Sequence, residues 1–74
     1  MCDFDENFRY NVSFIRQKQR ITKKKMAEIL GISIQTLTRM ERYDPKVRVR
    51  SGMICRFCNY FEISSDVVLR TRLQ

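Results

Sequence analysis

Between residues 34 and 42, the sequence carries side chains that can each make two directed hydrogen bonds to a flat partner. Gln35 offers an amide with donors and an acceptor, and Arg39 offers the planar fork of a guanidinium group. In the major groove of DNA, an amide pairs with adenine N6 and N7, and a guanidinium pairs with guanine O6 and N7. The neighbouring Ile34 and Thr36 carry methyl groups that can touch the methyl of thymine. Residues of these types are suited to reading base pairs, if one exposed face presents all four.

Side chains suited to phosphate contact lie around this stretch. Three lysines, residues 23–25, stand at the start of a predicted helix, where they oppose the helix dipole and reduce its intrinsic stability. That arrangement is reasonable where phosphates lie, because the free amides of a helix N-terminus also attract anions. A solvated, lysine-rich surface is the alternative. The candidates for phosphate contact are Lys23, Lys24, Thr38, Arg42, Lys46, Arg48 and Arg50.

The overall charge agrees with a polyanionic partner. Fifteen Lys and Arg residues against eight Asp and Glu residues give a formal net charge of +7. Such an excess favours nucleic acid through the release of condensed counterions, although a gain in solubility alone is the competing explanation. Because Asp3, Asp5 and Glu6 gather at the start, we expect an acidic, flexible tip over residues 1–7 and a domain over residues 8–74.

The sequence offers little for catalysis or for metal binding. It contains no histidine and few acids, and it shows neither a nucleophile beside a base nor a glycine-rich phosphate loop. A structural zinc site needs about four ligands, whereas only Cys2 is available beside Cys55 and Cys58. The last two lie at helical spacing in an apolar run, so we expect them to pack as small apolar side chains. We therefore expect no enzyme activity, no metal, no cofactor and no small-molecule ligand.

Length and hydropathy indicate one small domain. A chain of 74 residues supports a single, modest core. We expect no membrane span, because no run of about 18 apolar residues exists. The acidic N-terminus lacks the apolar run of a secretory signal, so we expect a cytoplasmic, nucleoid-associated protein.

Two short helices are predicted to position the candidate base-reading residues. Thr22 and Ser33 are good N-caps for helices over residues 23–30 and 34–42, and Gly31 supplies the left-handed turn between them. Two helices joined by a short turn that contains glycine form a helix-turn-helix, here over residues 22–42. Their predicted core residues are Met26, Ala27, Leu30, Leu37 and Met40, while Ile32 plugs the turn.

Three further helices complete a predicted all-α, compact five-helix bundle. They cover residues 8–19, 51–61, capped by Ser51, and 66–70, capped by Ser64 or Ser65. Residues 43–50 are expected to form an extended loop, with a short strand or hairpin arm as the alternative. The predicted core residues of these helices are Phe8, Val12, Ile15, Ile54, Phe57, Cys58, Phe61 and one or more of Val67, Val68 and Leu69.

The sequence resembles the lambda-repressor/Cro-like (XRE-type) helix-turn-helix family of DNA-binding domains. The resemblance begins at Ile15 and covers about three quarters of the chain in the family's order and spacing. The residues that carry it are Ile15, Arg16, Ile21, Thr22, Met26, Ala27, Gly31, Ile32, Ser33, Leu37, Met40, Glu41, Ile54, Phe57, Cys58, Phe61, Ile63, Ser64 and Leu69.

The resemblance implies a function and a salt bridge within the domain. The third helix is expected to lie in the major groove of double-stranded DNA, and Arg16 is expected to form a salt bridge with Glu41. Two positions depart from the family. Lys23 replaces the usual glutamine at the start of the second helix, and no glycine follows Glu41 within one or two residues.

A homodimer is expected, since one reading helix covers only a few base pairs. In the resembling family, the C-terminal helices often form the dimer surface. The apolar residues available there are Tyr60, Phe61, Ile63, Val67 and Leu69. The expected role is a small transcription regulator, such as a Cro-like repressor or a restriction-modification controller.

Two other functions remain open from the sequence. An antitoxin or anti-repressor would use the same scaffold to grip a protein, although polar Gln35, Thr36 and Arg39 suit bases better than a protein surface. An RNA-binding domain would need exposed aromatic side chains for stacking on unpaired bases, and the predicted reading helix has none.

Overall fold

The computed structural model describes residues 4–73, which form five α-helices and no β-strand. The helices are α1 (Phe4–Lys18), α2 (Lys23–Leu30), α3 (Ile34–Glu41), α4 (Ser51–Phe61) and α5 (Ser65–Arg70). The predicted all-α, five-helix architecture is therefore confirmed. No helix within these residues is both long enough and apolar enough to span a membrane.

One hydrophobic core lies between the helices. Its two largest side chains, Phe8 of α1 and Phe57 of α4, are fully buried and meet edge to face, with ring centroids 5.5 Å apart. Such aromatic pairs contribute about 0.5–1.5 kcal/mol beyond their buried area. The buried hydrophobic residues are Phe8, Val12, Ile15, Met26, Ala27, Leu30, Leu37, Met40, Met53, Phe57 and Val68. The sequence analysis missed Met53, and Ile54, Cys58 and Phe61 are only partly buried.

Helix α1 begins four residues earlier than the sequence indicates. The structure places Phe4 at its start, with Asp5 and Glu6 in the first turn. Acids are favourable there because the N-terminus of a helix carries a partial positive charge. The expected tip over residues 1–7 therefore belongs to the bundle from Phe4 onward, and residues 1–3 lie outside the described part of the chain.

The expected cap of α4 is displaced by one residue. Ser51 is the first residue of the helix, and Arg50 occupies the N-cap position without a side-chain hydrogen bond. The carbonyl of Arg50 accepts from the amides of Met53 and Ile54, so the helix starts one residue earlier than a serine cap allows. The loop before it is irregular, as predicted. Helix α5 is capped by Ser64, whose hydroxyl accepts from the amide of Asp66.

The two cysteines of α4 differ in burial, contrary to the expectation that both pack in the core. Met53 and Phe57, one helical turn apart, occupy the buried face, and Cys55 lies between them on the exposed side. Cys58 is half-buried against the core. Desolvation raises the pKa of the Cys58 thiol, and the neighbouring Cys55 raises it further. A raised pKa keeps this thiol protonated and makes it a poorer nucleophile and metal ligand.

Candidate nucleic-acid interface

Local capping bonds fix the angle between α2 and α3. The hydroxyl of Thr22 accepts from the amide of Lys25 at 3.1 Å, and that of Ser33 accepts from the amide of Thr36 at 3.1 Å. Between them Gly31 has φ +72°, a left-handed conformation that side chains disfavour. The amides of Gly31 and Ile32 close the end of α2 on the carbonyls of Glu28 and Ala27.

The exposed face of α3 presents the predicted base-reading residues. Leu37 and Met40 are fully buried, which turns Gln35 and Arg39 outward into solvent. Over residues 4–73, neither of these two side chains has a hydrogen bond or an ion pair, so both keep their full bonding capacity. Ile34 is 48% exposed, a large apolar side chain at the start of the same helix.

The two threonines of α3 have hydroxyl groups that are already occupied. Thr36 Oγ1 lies 2.8 Å from Ser33 Oγ, and Thr38 Oγ1 donates to the carbonyl of Ile34 at 3.0 Å. Both residues are half-buried. The methyl group of Thr36 is therefore better placed for a contact than its hydroxyl. The Thr38 hydroxyl has used its one hydrogen, so it is left as an acceptor only.

An ion pair joins α1 to the end of α3. Arg16 Nε lies 2.7 Å from Glu41 Oε2, and Arg16 Nη2 lies 3.0 Å from Glu41 Oε1, so the contact is bidentate. Arg16 Nη1 also donates to the carbonyl of Ile21, just before α2. The two side chains are 17% and 10% exposed. One guanidinium thus connects three parts of the chain around the helix-turn-helix unit.

Five cations line an open groove beside the exposed face of α3, and we call it the basic groove. It runs between the α2–α3 turn, the loop over residues 42–50, and the first turns of α4. No acidic residue lines it. Among the described residues, none of its cations takes part in an ion pair, so their charge is not neutralised. The five are Arg39, Lys46, Arg48, Arg50 and Arg56.

The structure divides the predicted phosphate-binding residues into separate places. Lys46 and Arg48 line the basic groove with Arg39. Lys23 and Lys24 are exposed at the N-terminus of α2, outside the groove. Arg42 is the exposed C-cap of α3, and Thr38 lies half-buried within that helix. The basic groove and the N-terminus of α2 are thus two distinct positive regions around the helix-turn-helix unit.

Arg56 is a member of the basic groove that the sequence analysis missed. Its guanidinium lies directly against Gly31, since a Cβ built on that glycine would be 3.2 Å from both Cζ and Nε of Arg56. Gly31 is therefore needed for its left-handed backbone, and it also gives the Arg56 side chain room to lie close to the turn. An arginine within an apolar helix gives no sequence signal for this contact, because its partner is 25 residues away along the chain (56 minus 31).

Comparison with known proteins gives one match. A family model described as helix-turn-helix matches residues 13–68. The matched range runs from the middle of α1 to Val68, the buried residue of α5, and so includes both α3 and the basic groove. The comparisons with curated proteins and with solved structures gave no significant match.

Proposed function

Since the chain belongs to the XRE-type (lambda repressor-like) helix-turn-helix family of DNA-binding regulators, we propose that it reads specific sequences of double-stranded DNA as a homodimer. Its role would be that of a small repressor, acting in the cytoplasm on nucleoid DNA. The observation that carries the proposal is the pair of unpartnered side chains, Gln35 and Arg39, on the exposed face of α3 beside a groove lined by cations.

The exposure of Gln35 and Arg39 on α3 supports a specific set of base contacts. With its exposed face in the major groove, the Gln35 amide pairs with an adenine and the Arg39 guanidinium pairs with a guanine. Each good bidentate pair contributes about 1–3 kcal/mol of discrimination. Ile34 and the methyl of Thr36 supply apolar contact with thymine. The exposed Ile34 side chain is unfavourable in water, and its burial against a thymine methyl would be favourable because it removes apolar surface from water.

The phosphate contacts come from both positive regions. Lys23 and Lys24, with the free amides of the α2 N-terminus, bind one stretch of backbone. The basic groove binds another, and Arg42 and Thr38 add contacts from α3 itself. If six or more phosphates are engaged, the affinity falls about a thousandfold or more between ~50 and ~200 mM salt. These contacts position the protein and leave the choice of sequence to α3.

Exposed apolar residues near the C-terminus support a dimer. Tyr60 is 54% exposed and Val67 is 40% exposed, while Phe61, Ile63 and Leu69 are partly buried. Two copies joined through this surface would place two α3 helices in successive major grooves. Their half-sites would then lie about one helical turn apart.

Selection from a randomised pool of duplex DNA tests the proposal. We expect the purified chain to enrich a two-fold symmetric motif, in which Gln35→Ala and Arg39→Ala each relax the preference at one position per half-site. The matched control for Arg39→Ala is Arg70→Ala, because Arg70 is an exposed arginine of α5 and its loss removes the same charge, whereas Gln35→Ala leaves the net charge unchanged. The control should weaken all sequences alike. An unenriched pool would overturn sequence-specific reading and favour a protein-binding role, as in an antitoxin or anti-repressor.

A further inference from the structure

The loop over residues 42–50 is attached to α1 by one buried arginine. Arg9 is only 4% exposed, and its guanidinium is directed into the loop. Nη1 donates to the carbonyls of Asp44 at 3.0 Å and of Met40 at 3.4 Å, and Nη2 donates to the carbonyl of Val47. The third nitrogen, Nε, donates to Asp5 one turn earlier in α1.

The loop has few other bonds to define its path. Asp44 makes three local ones, since its amide donates to the carbonyl of Arg39, its carbonyl accepts from the amide of Val47, and its side chain accepts from the amide of Lys46. Val47 and Val49 pack partly buried against the core. The Val47 carbonyl accepts from Arg9. The Asp44 carbonyl accepts from two donors, Arg9 and the amide of Val47. Arg9 therefore binds the backbone on both sides of Lys46.

Lys46 and Arg48, which line the basic groove, are the residues that this attachment places. Lys46 lies between the two carbonyls that Arg9 binds in the loop, and Arg48 directly follows the second one. A loop that is ordered before binding loses less conformational entropy when its side chains meet phosphate. Without the attachment, only the local bonds of Asp44 and the packing of Val47 and Val49 would order the loop before DNA binds.

We propose that Arg9 is a positioning residue for DNA binding, which acts through Lys46 and Arg48 and touches no DNA itself. The inference rests on the proposed function, because Arg9 would act through the phosphate contacts that Lys46 and Arg48 make in the basic groove. Arg9 has no bond to the exposed face of α3, and the one α3 carbonyl that it contacts, that of Met40, also accepts from the amide of Tyr43. Loss of Arg9 should therefore weaken the salt-dependent part of binding and leave base preference unchanged.

The test measures affinity for a duplex as a function of salt concentration. The variants are Arg9→Met, which removes the charge, and Arg9→Lys, which keeps the charge but loses the fork that spans the carbonyls. We expect both to lower the affinity on the order of tenfold at ~100 mM salt and to reduce the salt slope by about one to two, since each lost phosphate contact accounts for about 0.9. In a Lys46→Ala/Arg48→Ala background, neither variant should change the slope further.

A matched control separates positioning from general stability. Val12→Ala truncates another buried residue of α1, whose apolar side chain makes no hydrogen bond to the loop or to the C-terminal segment. We expect it to lower stability while the salt slope of the folded fraction stays at the wild-type value. If Arg9→Met does not fold, Arg9→Lys is used alone, together with hydrogen exchange at the Val47 amide, which should become faster.

Four outcomes are decisive. A salt slope that Arg9→Met and Arg9→Lys leave unchanged overturns the role of Arg9. So does an equal loss of slope in the Lys46→Ala/Arg48→Ala background, because Arg9 would then act independently of those cations. A full rescue by Arg9→Lys shows that charge alone matters and also overturns it. A wild-type chain without any salt-dependent binding to duplex DNA overturns the proposed function instead, so the two failures are distinguishable.

Discussion

Hydrogen bonds of different sequence separation hold the helix-turn-helix unit and two irregular segments that follow it, the loop over residues 42–50 and the segment after α5. In the unit, Thr22 and Ser33 each bond to an amide three residues ahead, and Gly31 closes the turn on carbonyls of the preceding helix. The loop over residues 42–50 begins with a similar local closure, because the amides of Tyr43 and Asp44 donate to the carbonyls of Met40 and Arg39. Beyond such local bonds, this loop and the C-terminal segment also have distant partners. These are Arg9 and Asn11, two buried side chains of α1 that lie far away along the chain.

The amide side chain of Asn11 forms hydrogen bonds through both its nitrogen and its oxygen. Its Nδ2 donates to the carbonyls of Val68 at 2.7 Å and Thr71 at 2.8 Å, and its Oδ1 accepts from the amide of Leu73 at 2.8 Å. One fully buried amide thus fixes the end of α5 and the segment after it. The comparison teaches that the helix-turn-helix unit is shaped mainly by local bonds, whereas the loop after it and the C-terminal segment also need partners from α1.

The largest effect on stability is expected from cutting the attachment of the C-terminal segment. Asn11→Ala leaves the buried carbonyl of Val68 and the partly buried carbonyl of Thr71 and amide of Leu73 without their partner. Each unsatisfied buried group costs about 1–3 kcal/mol, and the partly buried ones cost less. We expect the free energy of unfolding to fall by about 3 kcal/mol, measured by urea denaturation. Asn59→Ala is the control, because Asn59 is exposed on α4 and should change stability by less than about 0.5 kcal/mol. Similar losses for both variants would contradict the assigned role of Asn11.

The next largest effect tests the ion pair that joins the helix-turn-helix unit to α1. Arg16→Met leaves Glu41, which is 10% exposed, without its guanidinium partner. Removing one member of a buried pair costs about 3–5 kcal/mol, and the partial exposure of this pair reduces our expectation to about 2 kcal/mol in urea denaturation. Arg70→Ala breaks an exposed ion pair with Asp66 and serves as the control, with an expected change near zero. An equally small change in Arg16→Met would mean that the unit is held by its local bonds alone.

A smaller effect is expected from the local caps. Ser33→Ala removes the hydroxyl that accepts from the Thr36 amide, and loss of an N-cap costs about 1 kcal/mol. Ser51→Ala is a matched control, because Ser51 is the first residue of α4 and caps nothing. Thermal unfolding should show a lower midpoint for Ser33→Ala and little change for Ser51→Ala. Equal losses would place the start of α4 at a serine cap after all.

The same comparison explains what the sequence could and could not predict. Thr22, Gly31 and Ser33 act within a few residues of themselves, so their roles are visible in local spacing. Arg9 and Asn11 stand beside the apolar positions of α1, where a polar side chain normally faces solvent. Both are buried here because distant segments supply their hydrogen-bond partners. A single sequence carries no sign of those partners.

The candidate site divides in the same way. Burial of Leu37 and Met40 at helical spacing predicts that Gln35 and Arg39 are exposed, and the structure shows this. The basic groove, by contrast, combines three separate parts of the chain. Its member Arg56 depends on contact with Gly31, which no periodicity reveals. The resemblance to a family supplied the pair of Arg16 and Glu41, which spacing alone does not.

The smallest expected effect is a gain, at a helix end that lacks a glycine. Glu62 follows α4 with φ +56°, a left-handed conformation that costs a residue with a side chain about 1–2 kcal/mol. Glu62→Gly relieves that cost but increases the freedom of the unfolded chain, so we expect a net gain of about 0.5 kcal/mol. Glu28→Gly is the matched control, because Glu28 lies exposed within α2, where glycine should cost about 1 kcal/mol. A gain in the free energy of unfolding for Glu62→Gly and a loss for Glu28→Gly, measured by urea denaturation, would show that α4 ends in a strained local turn. The backbone before the C-terminal segment would then also be shaped by a local feature. A loss in both variants would mean that Glu62 is not left-handed and that long-range contacts alone end the helix.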